Sequence, residues 1–269
     1  MGYIGGDCLT RAVCEKLITF DVPVEFERVE IYPLSDLHIG DALADIDAIH
    51  ALIKHILAEP NRFVICHGDL INNNLKNSAG SVYEDIIRPS DQKKEIKKLL
   101  TKIKDRILVM VTGNHEFRSA KETDQDITED IADYLGVPYQ QEDAVVKIAF
   151  RYDSGKSENV YTIYVSHGTG GGKRPGSALN NVEALSMNIL ADVYVVGHTH
   201  KKIAHKAVFR IPDTINNVIR EIEQLYIVSG SWCLYGGYGK RRLYRPQARG
   251  TVPFILEGRS RKKEAWCRL

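Results

Sequence analysis

Several features are missing from this 269-residue sequence, and each absence narrows the class of protein it can be. No apolar run approaches the ~18 residues that a membrane-spanning helix needs. The N-terminus, MGYIGGDCLTRAVCEKLITF, has no basic start followed by an apolar block, so no signal peptide is expected. The cysteines (Cys8, Cys14, Cys66, Cys233 and Cys267) are odd in number and form no CxxC pair. They outline no disulfide framework and point to a reducing cytoplasm. Internal repeats, low-complexity tracts and linkers are absent too. What remains, 43% hydrophobic and 26% charged, is the composition of an ordinary soluble globular protein with room for one large domain or two small ones.

Charge of one sign is nearly balanced overall, at a net +1, but not along the chain. Residues 201–269 carry 15 Lys+Arg against 5 Asp+Glu, whereas residues 1–200 carry 21 against 30. A basic C-terminal quarter is able to bind a polyanion such as DNA or RNA; the alternative is a solvated surface. Within it Trp232, Tyr235, Tyr238 and Tyr244 interleave with Lys240, Arg241 and Arg242. That mixture suits base stacking and phosphate neutralisation, or else marks a β-hairpin with core aromatics and surface charges.

Short runs rich in Val, Ile and aromatics occur at 28–34, 63–66, 107–111, 161–165 and 193–196. They are nearly continuous rather than alternating, which predicts strands buried on both faces. Helical spacing runs from Leu43 to Leu57 and stops before Pro60. A second helix is predicted after an N-cap at Ser90-Asp91-Gln92, and a third over 128–135, ending at Gly136. Asp153-Ser154-Gly155-Lys156 reads as a hairpin turn, and the pattern after His200 is mainly β, with runs near 202–209 and 224–228. This order favours an α/β layered domain with helices outside and sheet inside. Its predicted extent is 28–257, with an N-terminal arm at 1–27 and a basic tail at 258–269.

Five of the predicted strands are followed at once by ligand-type residues. The clusters are Asp36-Leu37-His38, Gly68-Asp69-Leu70-Ile71-Asn72, Gly113-Asn114-His115-Glu116, Ser166-His167-Gly168 and Gly197-His198-Thr199-His200. Sites in open α/β sheets form outside the carboxyl ends of strands, so all five can converge on one edge. Asp-x-His and His-x-His place two ligands on one side of an extended segment. Imidazole with carboxylate suits Zn, Mn or Fe better than Ca or Mg.

Together these blocks resemble the calcineurin-like metallophosphoesterases, over roughly residues 31–231. The resemblance implies a fold of two packed mixed β-sheets flanked by helices, and a centre of two divalent transition-metal ions, Mn first with Fe or Zn as alternatives. It implies that Asp36, His38 and His200 hold one ion, that Asn114, His167 and His198 hold the other, and that Asp69 bridges them. His115 is implied to be catalytic and no ligand, protonating the leaving oxygen or stabilising the transferring phosphoryl group. The protein-phosphatase branch carries Gly-Asp-x-x-Asp-Arg-Gly at the second block; here Asn72-Asn73-Asn74 stands instead, which counts against a phosphoserine/threonine phosphatase. The expected activity is therefore hydrolysis of a nucleic-acid or nucleotide phosphodiester by metal-activated hydroxide. A phosphomonoesterase and a catalytically silent interaction module are the alternatives.

Three further residues are candidates for substrate binding: Asn72, and Lys173 and Arg174 at the end of the glycine-rich loop 168–172. That loop is no P-loop, because His167 occupies the first required glycine and Arg174 the Ser/Thr. Glu116 is expected to support the ligands from behind, His67 to point away from the site, and His50, His55 and His205 to be structural or surface residues.

Overall fold

The computed structural model describes residues 16–76, 78, 80, 82–151, 157–259 and 263–268. In chain order the first half comprises β1 (Ile18–Val22), β2 (Arg28–Leu34), α1 (Ile46–Leu57), β3 (Arg62–His67), α2 (Pro89–Thr101), β4 (Ile107–Val111), α3 (Asn114–Thr123), α4 (Ile127–Leu135) and β5 (Tyr139–Gln140). The second half comprises β6 (Asp143–Arg151), β7 (Ser157–Ser166), α5 (Pro175–Ala184), β8 (Val193–Val196), β9 (Lys202–Asp213), β10 (Val218–Ser229), α6 (Gly237–Arg241), β11 (Phe254–Glu257) and β12 (Ala265–Cys267).

Among the described residues the strands form two six-stranded mixed sheets, ordered β1-β6-β7-β8-β10-β9 and β12-β11-β2-β3-β4-β5. In the second sheet β2, β3, β4 and β5 run parallel; in the first, β7, β8 and β10 do. Period-two alternation sorts each strand's side chains into two cores. Ile31, Ile65, Val109, Ile163, Val195 and Ile227 meet between the sheets. Tyr32, Val64, Cys66 and Met110 face outward and pack under α1, α2 and α4, with Ile49, Ile53, Leu100 and Ile131. Tyr194, Tyr226 and Val228 pack under α5 with Ala178 and Val182. Burial on both faces is why the strands read as continuous apolar runs.

Four expectations need correction or extension. The second helix starts at Pro89, with Arg88 at the N-cap and no side-chain cap, rather than from Ser90-Asp91-Gln92. Proline is pre-set for the first helical position and lacks only an N–H that would be unpaired there. Residues 18–22 of the supposed arm are β1, paired in parallel with β6, and Ile18 and Phe20 pack on the inter-sheet core. At the other end, residues 265–267 of the supposed tail are β12, paired with β11. Segment 232–244 is no hairpin: Trp232 is buried in the outer core, and α6 follows. The predicted turn at 153–156 lies outside the described residues, as do Cys8 and Cys14; the strands flanking the turn do pair antiparallel.

Asp126 shows how one residue locks α4, the helix expected over 128–135, to the sheet. Its Oδ1 accepts from the backbone N–H of Thr128 at 2.8 Å, capping α4, while Oδ2 accepts from the Tyr139 hydroxyl at 2.7 Å and the Thr112 hydroxyl at 2.9 Å. Asp126→Ala removes the cap and two side-chain bonds together. The expected loss is about 2–3 kcal/mol in urea unfolding, and a loss under about 0.5 kcal/mol would contradict this account of the helix start.

Candidate metal centre and cleft

All five sequence blocks lie at the carboxyl ends of parallel strands, and the structure brings their side chains into one cluster. The described residues contain three groups whose ligand atoms lie within 4.8 Å of one another: Asp36, His38 and His200; His38, Asp69 and His115; and Asp69, His167 and His198. Asn114 joins the third group, its Oδ1 lying 3.0 Å from His167 Nε2 and 2.7 Å from His198 Nδ1. Asp69 thus belongs to a group with His38 and to another with His167 and His198.

The ligand pairs are not presented by extended backbone, as their spacing suggested. Asp36, His38, Asp69, His198 and His200 all adopt left-handed conformations, with φ of 52°, 47°, 51°, 64° and 57°. Such residues are destabilised by about 1–2 kcal/mol each and persist only where the surroundings over-determine them. Here the first two blocks are stitched together. Asp36 N–H donates to Gly68 O, His38 N–H to Asp69 O and Ile39 N–H to Leu70 O, each at 3.1 Å. Leu37, between the two ligands, is fully buried in the outer core. Gly113 and Gly197 are glycines for reasons of space. A Cβ on Gly113 would strike Asp69 N, and one on Gly197 would sit 2.6 Å from Asp36 Oδ2.

Glu116 completes the scaffold from the first turn of α3. It is fully buried, and its two carboxylate oxygens accept from Asp69 N–H at 2.9 Å and Ile71 N–H at 3.0 Å. Burial and the Asp69 charge push this carboxyl up to about 7. His167 is oriented in the same manner: its Nδ1–H donates to His67 O at 2.8 Å, leaving Nε2 to face the cluster. His67 is itself fully buried, and neither of its ring nitrogens makes a hydrogen bond among the described residues.

The electrostatics of the cluster fit a cation. Asp36 and Asp69 are 0% and 2% exposed, and their ion-pair partners among the described residues are histidines, not Lys or Arg. Asp36 Oδ1 accepts no hydrogen bond. Burial pushes both carboxyls up, but neighbouring imidazoles outweigh it: His200 holds Asp36 low, and His167 and His115 hold Asp69 well below its usual range. In return, although burial opposes it, Asp69 lifts His167 to about 10. Burial lowers His38 to about 3 and depresses His198 and His115. His38 and His198 are thus held in the neutral form that binds a divalent ion, whereas His167 and His200, raised against the effect of burial by Asp69 and Asp36, must give up a proton to bind one.

The cluster floors a cleft of about 750 Å³. Asn72 reaches it, with Nδ2 donating to Asp85 Oδ1 at 2.7 Å. Lys173 and Arg174 are exposed and are not among its lining residues; Arg174 sits at the N-cap of α5. The cations that do line it are Arg118, Lys201, Arg245 and Arg249. None of these was singled out from the sequence. Arg118 could have been found from its position three residues after His115 on a helix, and Lys201 from following His200 directly. His55 is occupied with the Tyr32 hydroxyl at 2.9 Å, and His205 stacks on Tyr226, both away from the cleft.

Two mixed six-stranded sheets flanked by helices form the metallophosphoesterase α/β sandwich fold. The chain belongs to the calcineurin-like phosphoesterase family, whose model matches residues 31–202. Among solved structures it is similar to the zinc complex of Vps29 from Entamoeba histolytica, at 14% identity over 89% of this chain and 99% of that one, with a TM-score of 0.42. It is also similar to the NAD nucleotidase of Haemophilus influenzae, at 12% identity over 90% of this chain and 49% of that one, with a TM-score of 0.42. A metallophosphoesterase from Sphaerobacter thermophilus matches at 14% identity over 90% and 89%, with a TM-score of 0.37. No curated protein matches the sequence.

Glu116 provides a test of the scaffold that leaves every candidate ligand in place. Glu116→Ala strands two buried N–H groups, destabilising the fold by about 1–3 kcal/mol for each, and frees Asp69. Manganese affinity measured by calorimetry should fall about 10–100-fold; unchanged affinity would show that Asp69 holds its conformation without Glu116.

Proposed function

We propose that the chain is a divalent-metal-dependent phosphoric ester hydrolase acting on a phosphodiester of a nucleic acid or nucleotide. The observation that carries this reading is the convergence of Asp36, His38, Asp69, Asn114, His167, His198 and His200 in one cluster, of which His38, Asp69, Asn114, His198 and His200 line the cleft. Their N/O donor set suits Mn, with Fe or Zn as alternatives. Asp36, His38 and His200 would hold one ion, Asn114, His167 and His198 a second, with Asp69 between them. Two such ions, when bound, supply positive charge for the phosphoryl oxygens and acidify an attacking water.

The protein's own groups do the rest. The N/O ligands include only two carboxylates, so the loaded centre keeps net positive charge and draws an anionic ester to it. His115 lies beside the cluster, with Nε2 3.7 Å from Asp69 Oδ2 and Nδ1 2.5 Å from Asn72 O. With Nδ1–H donating to that carbonyl, Nε2 carries a proton only when the ring is charged. Burial works against that charge, and the negative ester favours it, so His115 becomes a donor to the leaving oxygen once substrate is bound. The breadth of the cleft and its cationic and aromatic walls favour a diester with substituents on both sides over a small monoester. No helix among the described residues is long and apolar enough to cross a membrane. Among the described residues Cys66, Cys233 and Cys267 form no disulfide, which supports a cytoplasmic location.

Manganese-loaded protein should hydrolyse bis-p-nitrophenyl phosphate faster than p-nitrophenyl phosphate. The reverse order would make it a monoesterase, and no turnover of either would favour a silent interaction module. His115→Ala should retain its metal by elemental analysis while kcat falls about 10²–10⁴-fold. Full activity in metal-loaded variant protein would remove His115 from the chemistry.

A further inference from the structure

The half of the cleft walled by residues 231–249 differs in chemistry from the metal-ligand floor. Leu234 and Tyr235 remain 44% and 49% exposed although they line a concavity. Exposed apolar surface inside a cleft marks a ligand-facing surface. The Tyr235 hydroxyl donates to Tyr244 O at 3.0 Å, and the Tyr244 hydroxyl donates to Gly171 O at 2.9 Å. Both rings are therefore held by their outer ends, and little rotamer freedom remains to be lost on binding. Around them the lining is glycine: Gly170, Gly171 and Gly172 on one side, Gly236, Gly237 and Gly239 on the other. These positions present backbone rather than side chains of their own: Gly170, Gly172 and Gly236 are packed against Asn181, Ser177 and Leu43, while Gly239 has open space beside it, and a wall of backbone suits the approach of a flat group.

The cations of this wall are mostly committed. Arg249 pairs with Asp45, and Arg241 grips Glu84 through two hydrogen bonds at 2.8 and 3.1 Å. These ties fix the wall to the start of α1 and to the segment before α2. Lys201 donates to Gly172 O at 2.7 Å. Arg245 lines the cleft, is exposed, and has no side-chain partner among the described residues.

We propose that Tyr235 and Tyr244 form a subsite for an unpaired nucleobase, with Arg245 receiving a flanking phosphate of the same strand or nucleotide. This rests on the phosphoesterase reading for the reacting phosphate and assigns the substrate's other end. Fixed aromatic faces and a free guanidinium beside an anion-binding floor are the elements by which single-stranded or free nucleotides are held. A base stacked in a duplex is unavailable to such rings until it leaves the stack. The substrate class is thus a nucleotide or a single strand.

The subsite is tested by binding, so its failure is distinct from failure to hydrolyse. Manganese-loaded protein is titrated calorimetrically with the phosphonate analogues of AMP and of ribose 5-phosphate, in which carbon replaces the ester oxygen. The AMP analogue should bind about tenfold or more tightly, the range expected of one base stacked on aromatic side chains. Tyr235→Ala and Tyr244→Ala should each shrink that ratio several-fold, and Tyr244→Phe should keep most of it. Damage to the fold or the metal centre would lower both affinities and leave the ratio alone. A ratio near one in the parent protein, or a ratio unmoved in both alanine variants, overturns the subsite. A short oligothymidylate that competes with the AMP analogue assigns the site to strands, and one that does not assigns it to free nucleotides. Equal competition by the same strand in a duplex refutes the requirement for an unpaired base.

Discussion

Two carboxylates, Asp36 and Asp69, lie buried within electrostatic reach of each other with only imidazoles as ion-pair partners among the described residues. Burying two carboxylates side by side is costly unless nearby charge and hydrogen bonds offset it. The surrounding structure is organised around holding both in place. Their backbones are bent into the left-handed region, the first two blocks are cross-bonded, and Glu116 fixes Asp69 and Ile71 from beneath. The two sheets and their helices supply the rigid frame on which that strain is maintained.

This dependence explains the placing of the glycines and of α3. Gly113 lets the third block come into contact with Asp69, and α3 then begins at once, setting Asn114, His115 and Glu116 on its first turn. Three successive residues thereby acquire three tasks: Asn114 meets His167 and His198, His115 faces the cleft, and Glu116 turns inward. The basic C-terminal quarter takes on a division of labour. Arg241 and Arg249 hold the wall in place, while Arg245 lines the cleft with no side-chain partner among the described residues.

The fold was legible in the sequence because burial on both faces leaves continuous runs such as 107–111, and because ligand-type residues follow those runs directly. The left-handed backbone at five ligands was not legible, since at Asp36, His38 and Asp69 it goes with cross-block hydrogen bonds between segments about thirty residues apart, and at His198 with a bond to the Asp36 carboxylate far earlier in the chain. Spacing alone suggested extended Asp-x-His and His-x-His segments. The roles of Arg118 and Lys201 were hidden for a similar reason: a cation's sequence neighbours do not reveal which wall of a cleft it joins. Conversely, Lys173 and Arg174 were attractive beside a glycine loop, yet the start of α5 at Pro175 leaves them exposed and outside the cleft lining. The edge strands β1 and β12 escaped notice because short, half-buried strands lack the continuous apolar signature of the central ones.

The central claim is that the buried Asp36 and Asp69 exist to hold a pair of divalent cations. Crystals of the full chain grown with manganese and measured at the manganese absorption edge test it most directly. The account predicts two anomalous peaks, one on either side of Asp69, the first within coordinating distance of Asp36, His38 and His200 and the second of Asn114, His167 and His198. A single peak that Asp69 does not touch, or no peak in the cluster at saturating manganese, would contradict it.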